Sequence, residues 1–128
     1  MLSLLRAVVG FIFITHGTAK LFGFPSGDNP APLPDFMTQR WFAGVLEAFG
    51  GALIMAGVLT RPIAFLLSGQ MAVAYFQAHF PRSFWPTVNG GVSAALYSFI
   101  FFYIFFAGPG PWSVDALLVR ARSRSRPG

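Results

Sequence analysis

Residues 41–59 read WFAGVLEAFGGALIMAGVL, nineteen positions holding one ionisable side chain, Glu47. A helix of that length approaches the ~20 residues that cross the hydrocarbon of a bilayer. An acidic group at the centre of such a helix costs roughly 2.5–3.5 kcal/mol on insertion scales, so a chain that keeps one there pairs it or uses it. Outward from this stretch, three further apolar segments repeat the pattern. One spans about 4–24 and is interrupted by His16, Thr18 and Lys20. Another spans 62–80 and opens on Pro62, whose missing N–H costs nothing in a first helical turn. The last spans 90–107 and contains the run FIFFYIFF.

Composition agrees with this reading. Of 128 residues, 55% are hydrophobic and 10% charged, and the mean hydropathy of +0.61 is too high for an ordinary soluble domain. The expected fold is all-α: an integral membrane four-helix bundle forming one domain over 1–128. A cleaved signal peptide is the other reading of the first segment, with Arg6 ahead of an apolar core and Gly17-Thr18-Ala19 as a small-residue site. A retained helix is more economical, because the rest of the chain is already apolar.

Proline and glycine punctuate the segments. Pro25 to Arg40 holds four prolines and reads as a loop, Thr60 and Arg61 as a tight corner, and Phe80, Phe84 and Trp85 as an aromatic interfacial belt. Gly108-Pro109-Gly110-Pro111 ends the fourth helix. Ser113 then caps a short amphipathic interfacial helix on which Val114, Leu117, Leu118 and Ala121 share a face, followed by a basic tail, 119–128. The net charge of +5 draws on Arg120, Arg122, Arg124 and Arg126 in that tail, which read as a topology signal and not as a nucleic-acid surface. Arg6 and Arg61 fall on the same side as these four, and Arg40 and Arg82 on the other, so both termini are expected to be cytoplasmic and the chain multi-pass.

With this orientation Phe24 marks the outer end of the first helix, so Lys20 lies ~6 Å and His16 ~12 Å below that edge, while Glu47 lies ~9 Å below it on the second helix. His16 and Lys20 are four residues apart and share a face, so the three groups can cluster. Gln77, His79 and Asn89 occupy the same outer half, and the expectation is one polar pocket opening away from the cytoplasm. The bland alternatives are that Lys20 snorkels to the headgroups and that His16 serves a hydrogen bond within the bundle. Gly10 and Gly17 on one helix, and Gly44, Ala48 and Gly51 on the next, form small-residue stripes that favour close approach in lipid. Cysteine is absent, which excludes disulfides, thiolate nucleophiles and iron–sulfur ligation. Neither haem nor a metal is expected: His16 and His79 sit at different depths, and two histidines without cysteine are a poor zinc set.

Taken in order, Arg6, His16-Gly17-x-x-Lys20-Leu21, Gly44-x-x-Glu47-x-x-Gly50-Gly51, Gly57-x-x-Thr60-Arg61, Asn89-Gly90-Gly91 and Gly108-Pro109-Gly110-x-Trp112-Ser113-x-Asp115 resemble the DoxX family of small four-helix bacterial membrane proteins. The resemblance runs from Arg6 to about Leu118. It implies a location in the bacterial inner (plasma) membrane and, for some members, a role as the membrane subunit of an oxidoreductase that passes electrons from a sulfur compound such as thiosulfate to quinone. One departure stands out: Val92 occupies the place of the acid in the family's Asn-Gly-Gly-Glu pattern. His16, Lys20, Glu47, Arg61 and Asn89 are the positions that inherit a functional role through the resemblance.

The leading expectation is therefore a redox subunit with a quinone-type pocket. Lys20 or His16 donates to a carbonyl oxygen, Glu47 handles a proton, and Asn89 joins these three in binding the cofactor. Such a chain needs a soluble oxidoreductase partner for its electrons, because it carries no redox motif of its own. Two other readings stay open, a proton-coupled small-molecule carrier and a scaffold or assembly factor in which Lys20 and Glu47 only lock the bundle. The lipid bilayer is a partner in all three, and a homo-oligomer is compatible with each.

Overall fold

A computed structural model describes residues 1–28 and 32–126. The expectations for Asn29, Pro30 and Ala31 in the first loop, and for Pro127 and Gly128 in the tail, lie outside the described residues. Every regular element among the described residues is helical, as the apolar segments require: α1 (Leu2–Phe22), α2 (Gln39–Ala56), α3 (Thr60–Ala74), a π-turn (Tyr75–His79), α4 (Pro86–Asn89), α5 (Val92–Ala107) and α6 (Val114–Ser125). One of them, α1, is both long and apolar enough to cross a membrane by length and composition, and α5 is apolar but shorter.

The boundaries follow local chemistry. Gly23 and Gly57, at φ 72° and 75°, adopt the left-handed conformation that stops α1 and α2 two or three residues before the apolar runs end. Gly57 and Val58 return their N–H groups to Leu53 O at 2.8 and 2.9 Å, closing the last turn of α2. This displaces the corner: it lies at Gly57 to Leu59, and Thr60 and Arg61 already belong to α3. The 62–80 segment is a helix only to Ala74, after which Phe80 N–H reaches back five residues to Tyr75 O in the π-turn. Before α5, Pro86 opens the single-turn α4. At α6, Ser113 Oγ accepts from Ala116 N–H at 3.1 Å, the cap that the sequence predicts.

The chain divides into two compact units. The first comprises Met1–Thr60 and Pro109–Gly128. Within it α1 and α2 run antiparallel in backbone contact, because the glycine stripes meet. A Cβ on Gly10 would fall 2.5 Å from Met55 N, one on Gly17 2.3 Å from Ala48 N, and one on Gly51 2.8 Å from Gly10 O and Ile14 N. No side chain fits at these positions, so the helices approach as closely as two backbones can.

The second unit is Arg61–Gly108. There α3 and α5 are joined by a reciprocal pair, Ser68 Oγ donating to Ser98 O at 2.7 Å and Ser98 Oγ donating to Ser68 O at 3.1 Å. Phe65 packs on Phe105 with ring centroids 5.2 Å apart.

Candidate functional site

The close seam of α1 and α2 decides where Lys20 and Glu47 go. Gly44 leaves room for Lys20 and Leu21, with its would-be Cβ 3.2 Å from Lys20 Cβ. One turn further on, Glu47 faces α1. Lys20 Nζ meets Glu47 Oε1 at 2.5 Å, so the two ionised residues read from the sequence form a direct ion pair. The partners differ in environment: the side chain of Glu47 is 2% exposed and that of Lys20 34%. The carboxylate is thus enclosed by the seam, while the ammonium closes it from the outside. Chemically, this arrangement offers a donor at the surface of the pair with a proton acceptor directly behind it.

Each of the other predicted site residues has its own surroundings. His16 is exposed on α1, one turn before Lys20, with its ring tilted against Phe13 at a centroid distance of 6.4 Å. Asn89 belongs to the second unit, where its side chain is buried and engaged on both ends. Its Oδ1 accepts from Gly91 N–H at 2.7 Å, and its Nδ2 donates to Ser83 O at 2.8 Å and to Tyr75 Oη at 3.3 Å. His79 Nδ1 stands 3.2 Å from Asn89 O. Together these groups hold the chain through α4 into α5, and the Asn89-Gly90-Gly91 motif has a local cause: a Cβ on Gly91 would strike Asn89 Oδ1 and the Tyr75 ring. Arg61 is exposed, with its guanidinium beside Gly108. Among the described residues no three His, Asp or Glu side chains converge where a metal ion would sit.

A second polar cluster escaped the sequence reading. Arg6, taken there as a topology charge, is 2% exposed. Its Nη1 donates to Ile54 O and Met55 O at 2.6 and 2.5 Å, Nε to Pro109 O at 2.7 Å, and Nη2 to Trp112 O at 2.6 Å. It therefore adds a donor to Ile54 O, which also accepts from Gly57 N–H at 3.1 Å, supplies one to Met55 O, and ties the end of α2 to the segment before α6. Asp115 completes the clasp: its oxygens accept from Leu59 N–H at 3.0 Å and Thr60 N–H at 2.9 Å, and its own N–H donates to Gly57 O at 2.9 Å. Burial pushes the Asp115 carboxyl up, but the Thr60 and Leu59 donors and the Arg6 charge outweigh it and hold the group below the usual carboxylate range. The signal was present in the sequence as two opposite charges at one predicted end of the bundle. It was obscured because Arg6 also obeys the positive-inside rule.

Comparison with known proteins bears on the same residues. A family model described as DoxX matches residues 1–80, the stretch that contains both members of the ion pair. An uncharacterized protein of Haemophilus influenzae is 42% identical over 120 residues, covering 89% of this chain and 87% of its own length. An uncharacterized membrane protein of Mycobacterium tuberculosis is 26% identical over 129 residues, covering 89% of this chain and 78% of its own. No solved structure matches.

Proposed function

This chain belongs to the DoxX family and is a membrane protein, and on that premise we propose that it spans the bacterial plasma membrane four times and serves as the membrane subunit of a quinone-linked oxidoreductase. The four spans are α1, α2, α3 with its π-turn, and α5. At 16 residues α5 is ~24 Å long against ~30 Å of hydrocarbon, a mismatch that a bilayer absorbs by thinning locally around aromatic helix ends. The clasp of Arg6 and Asp115 sits at the end of the first unit where the chain begins and where α6 leaves, in keeping with two cytoplasmic termini.

The observation that carries the functional reading is the asymmetric ion pair. Glu47 is enclosed and Lys20 is one-third exposed, so the ammonium can turn to a ligand carbonyl while the carboxylate stays behind it. Lys20 donates to the carbonyl oxygen of a quinone headgroup as charge develops there. Glu47 reloads Lys20 with the next proton, and His16, one turn away on α1, is the exposed group through which protons enter. Reduction to the quinol takes two electrons from a partner subunit and two protons through these side chains. Asn89 acts as a positioning residue for α5.

The near-complete burial of Glu47 favours one second reading, in which the pair only locks α1 to α2 in a scaffold. One experiment separates them. Purified protein is titrated with ubiquinone and menaquinone analogues as wild type, Lys20→Met, Glu47→Gln and the charge-swapped double variant Lys20→Glu/Glu47→Lys. Saturable binding lost in all three variants supports the quinone site. Absence of saturable binding to the wild type, with a stable and functional charge swap, supports the lock and removes the redox reading.

A further inference from the structure

The second unit contains a cleft of about 430 Å³ whose walls include Ala72, Tyr75, Phe76, Trp85, Ala95 and Phe99. It is far from a site for a polar ligand, which needs a few convergent groups with unspent hydrogen-bonding capacity. Two hydroxyls border the cleft, and both donate into the protein: Tyr75 Oη to Phe84 O at 2.7 Å and Ser98 Oγ to Ser68 O at 3.1 Å. What the walls offer instead is hydrocarbon and aromatic surface. Trp85 is 64% and Phe99 75% exposed. The volume falls within the roughly 300–1,000 Å³ of ligand-binding clefts, room for a stretch of unbranched chain.

Charge identifies the chain's other end. Residues 61–108 include no Asp or Glu, and their permanent cations are Arg61 and Arg82. The Arg61 guanidinium lies beside Gly108, where α5 ends. Arg82 is exposed on the segment that supplies Phe84, Trp85 and Pro86 to the cleft. A cation on the same loop as an aromatic, apolar slot is complementary to a molecule with an acyl chain and an anionic head. We propose that this cleft holds an acyl chain of an anionic phospholipid whose net negative headgroup is met by Arg82. An isoprenoid quinone tail would match the slot but leaves Arg82 without a counter-charge. The proposal rests on the membrane reading of the chain and not on quinone binding at Lys20 and Glu47.

The test uses the full chain in lipid nanodiscs with Trp85 as its one tryptophan, made by Trp41→Phe and Trp112→Phe. Phosphatidylglycerol and phosphatidylcholine carrying the same brominated acyl chains are titrated, and quenching of Trp85 is read. Saturable quenching is expected, half-complete at about fivefold lower mole fraction for the anionic lipid, the worth of one cation near a membrane surface. Arg82→Gln, at an exposed position, erases the headgroup preference and keeps the saturable component. Ala95→Phe fills the cleft and removes that component for both lipids, with circular dichroism showing that helix content is retained. Quenching that rises linearly with bromolipid and equally for both headgroups would overturn the proposal, as ordinary bilayer contact. Displacement by a long-tailed quinone but not by phosphatidylglycerol would also overturn it, as would protection of Trp85 from every lipid in a cross-linkable dimer. Neither variant touches Lys20 or Glu47, so failure here leaves the quinone reading standing and failure there leaves this one.

Discussion

Replacing Gly17 by alanine tests the seam on which the candidate site depends. The added Cβ would stand 2.3 Å from Ala48 N and 2.7 Å from both Ala48 Cα and Gly44 O, whereas ordinary contact begins near 3.4 Å. Every obstacle is backbone and cannot rotate aside, so α1 and α2 must part by about 1 Å, a gap at which close pairs forfeit a quarter to a half of their dispersion energy. Overpacking of this kind costs typically 1–3 kcal/mol, and a backbone obstacle places Gly17→Ala at about 3. Alanine returns ~1 kcal/mol in helix propensity, which leaves a net loss of about 2 kcal/mol. Gly69, inside α3, supplies the control: nothing lies within 4 Å of its would-be Cβ, so Gly69→Ala keeps the propensity gain and is neutral or stabilising by up to ~1 kcal/mol. Thermal unfolding followed by circular dichroism in one detergent should place Gly17→Ala roughly 8 °C below wild type, at ~4 °C per kcal/mol for a chain of this size. A Gly17→Ala midpoint at or above wild type, or an equal fall for Gly69→Ala, would refute the close seam.

Three further outcomes follow from the polar clusters. Lys20→Met deprives an enclosed carboxylate of its ammonium and should cost about 3 kcal/mol near neutral pH, whereas Glu47→Gln leaves a one-third-exposed Lys20 that can turn outward and should cost about 1; chemical denaturation of both variants checks the order. Arg6→Lys cannot reach four carbonyls with one ammonium and should lower the unfolding midpoint nearly as far as Arg6→Gln, a loss of at least about 3 kcal/mol; rescue by lysine would show that charge alone matters there. Asp115 has its folded value held below the ordinary 3.8, so its contribution is complete above that value and disappears as pH falls through the lower, folded one. Unfolding midpoints measured between pH 5 and 2 should therefore show an acid-dependent fall in wild type that is smaller in Asp115→Asn.

Several of these features were legible in one dimension. Ser113 as a cap needs only its own hydroxyl and the N–H three residues on, and the α2 helix needs only an apolar run with glycine past its end. Lys20 and Glu47 were paired from helical rise alone, since both could be counted from the same edge of the bilayer. Asn89 and His16 show where counting stops. Asn89 serves the turn between Tyr75 and Gly91, and His16 shares a spacing with Lys20 yet is exposed, because a spacing of four fixes a common face without fixing how far a neighbouring helix extends over it.

From composition and spacing alone came an all-helical chain, its glycine stripes, its capped C-terminal helix and the expense of ionised groups in apolar runs, all of which depend on interactions within a few residues or on transfer from water. The three-dimensional arrangement decided that Glu47 is enclosed while Lys20 is reachable, that Arg6 is a buried clasp and not a surface charge, and that the third apolar run ends in a π-turn. Those outcomes depend on which backbone carbonyls and side chains distant segments bring together, such as Arg6 with Trp112 across 106 positions, and helical periodicity carries no information about such pairs.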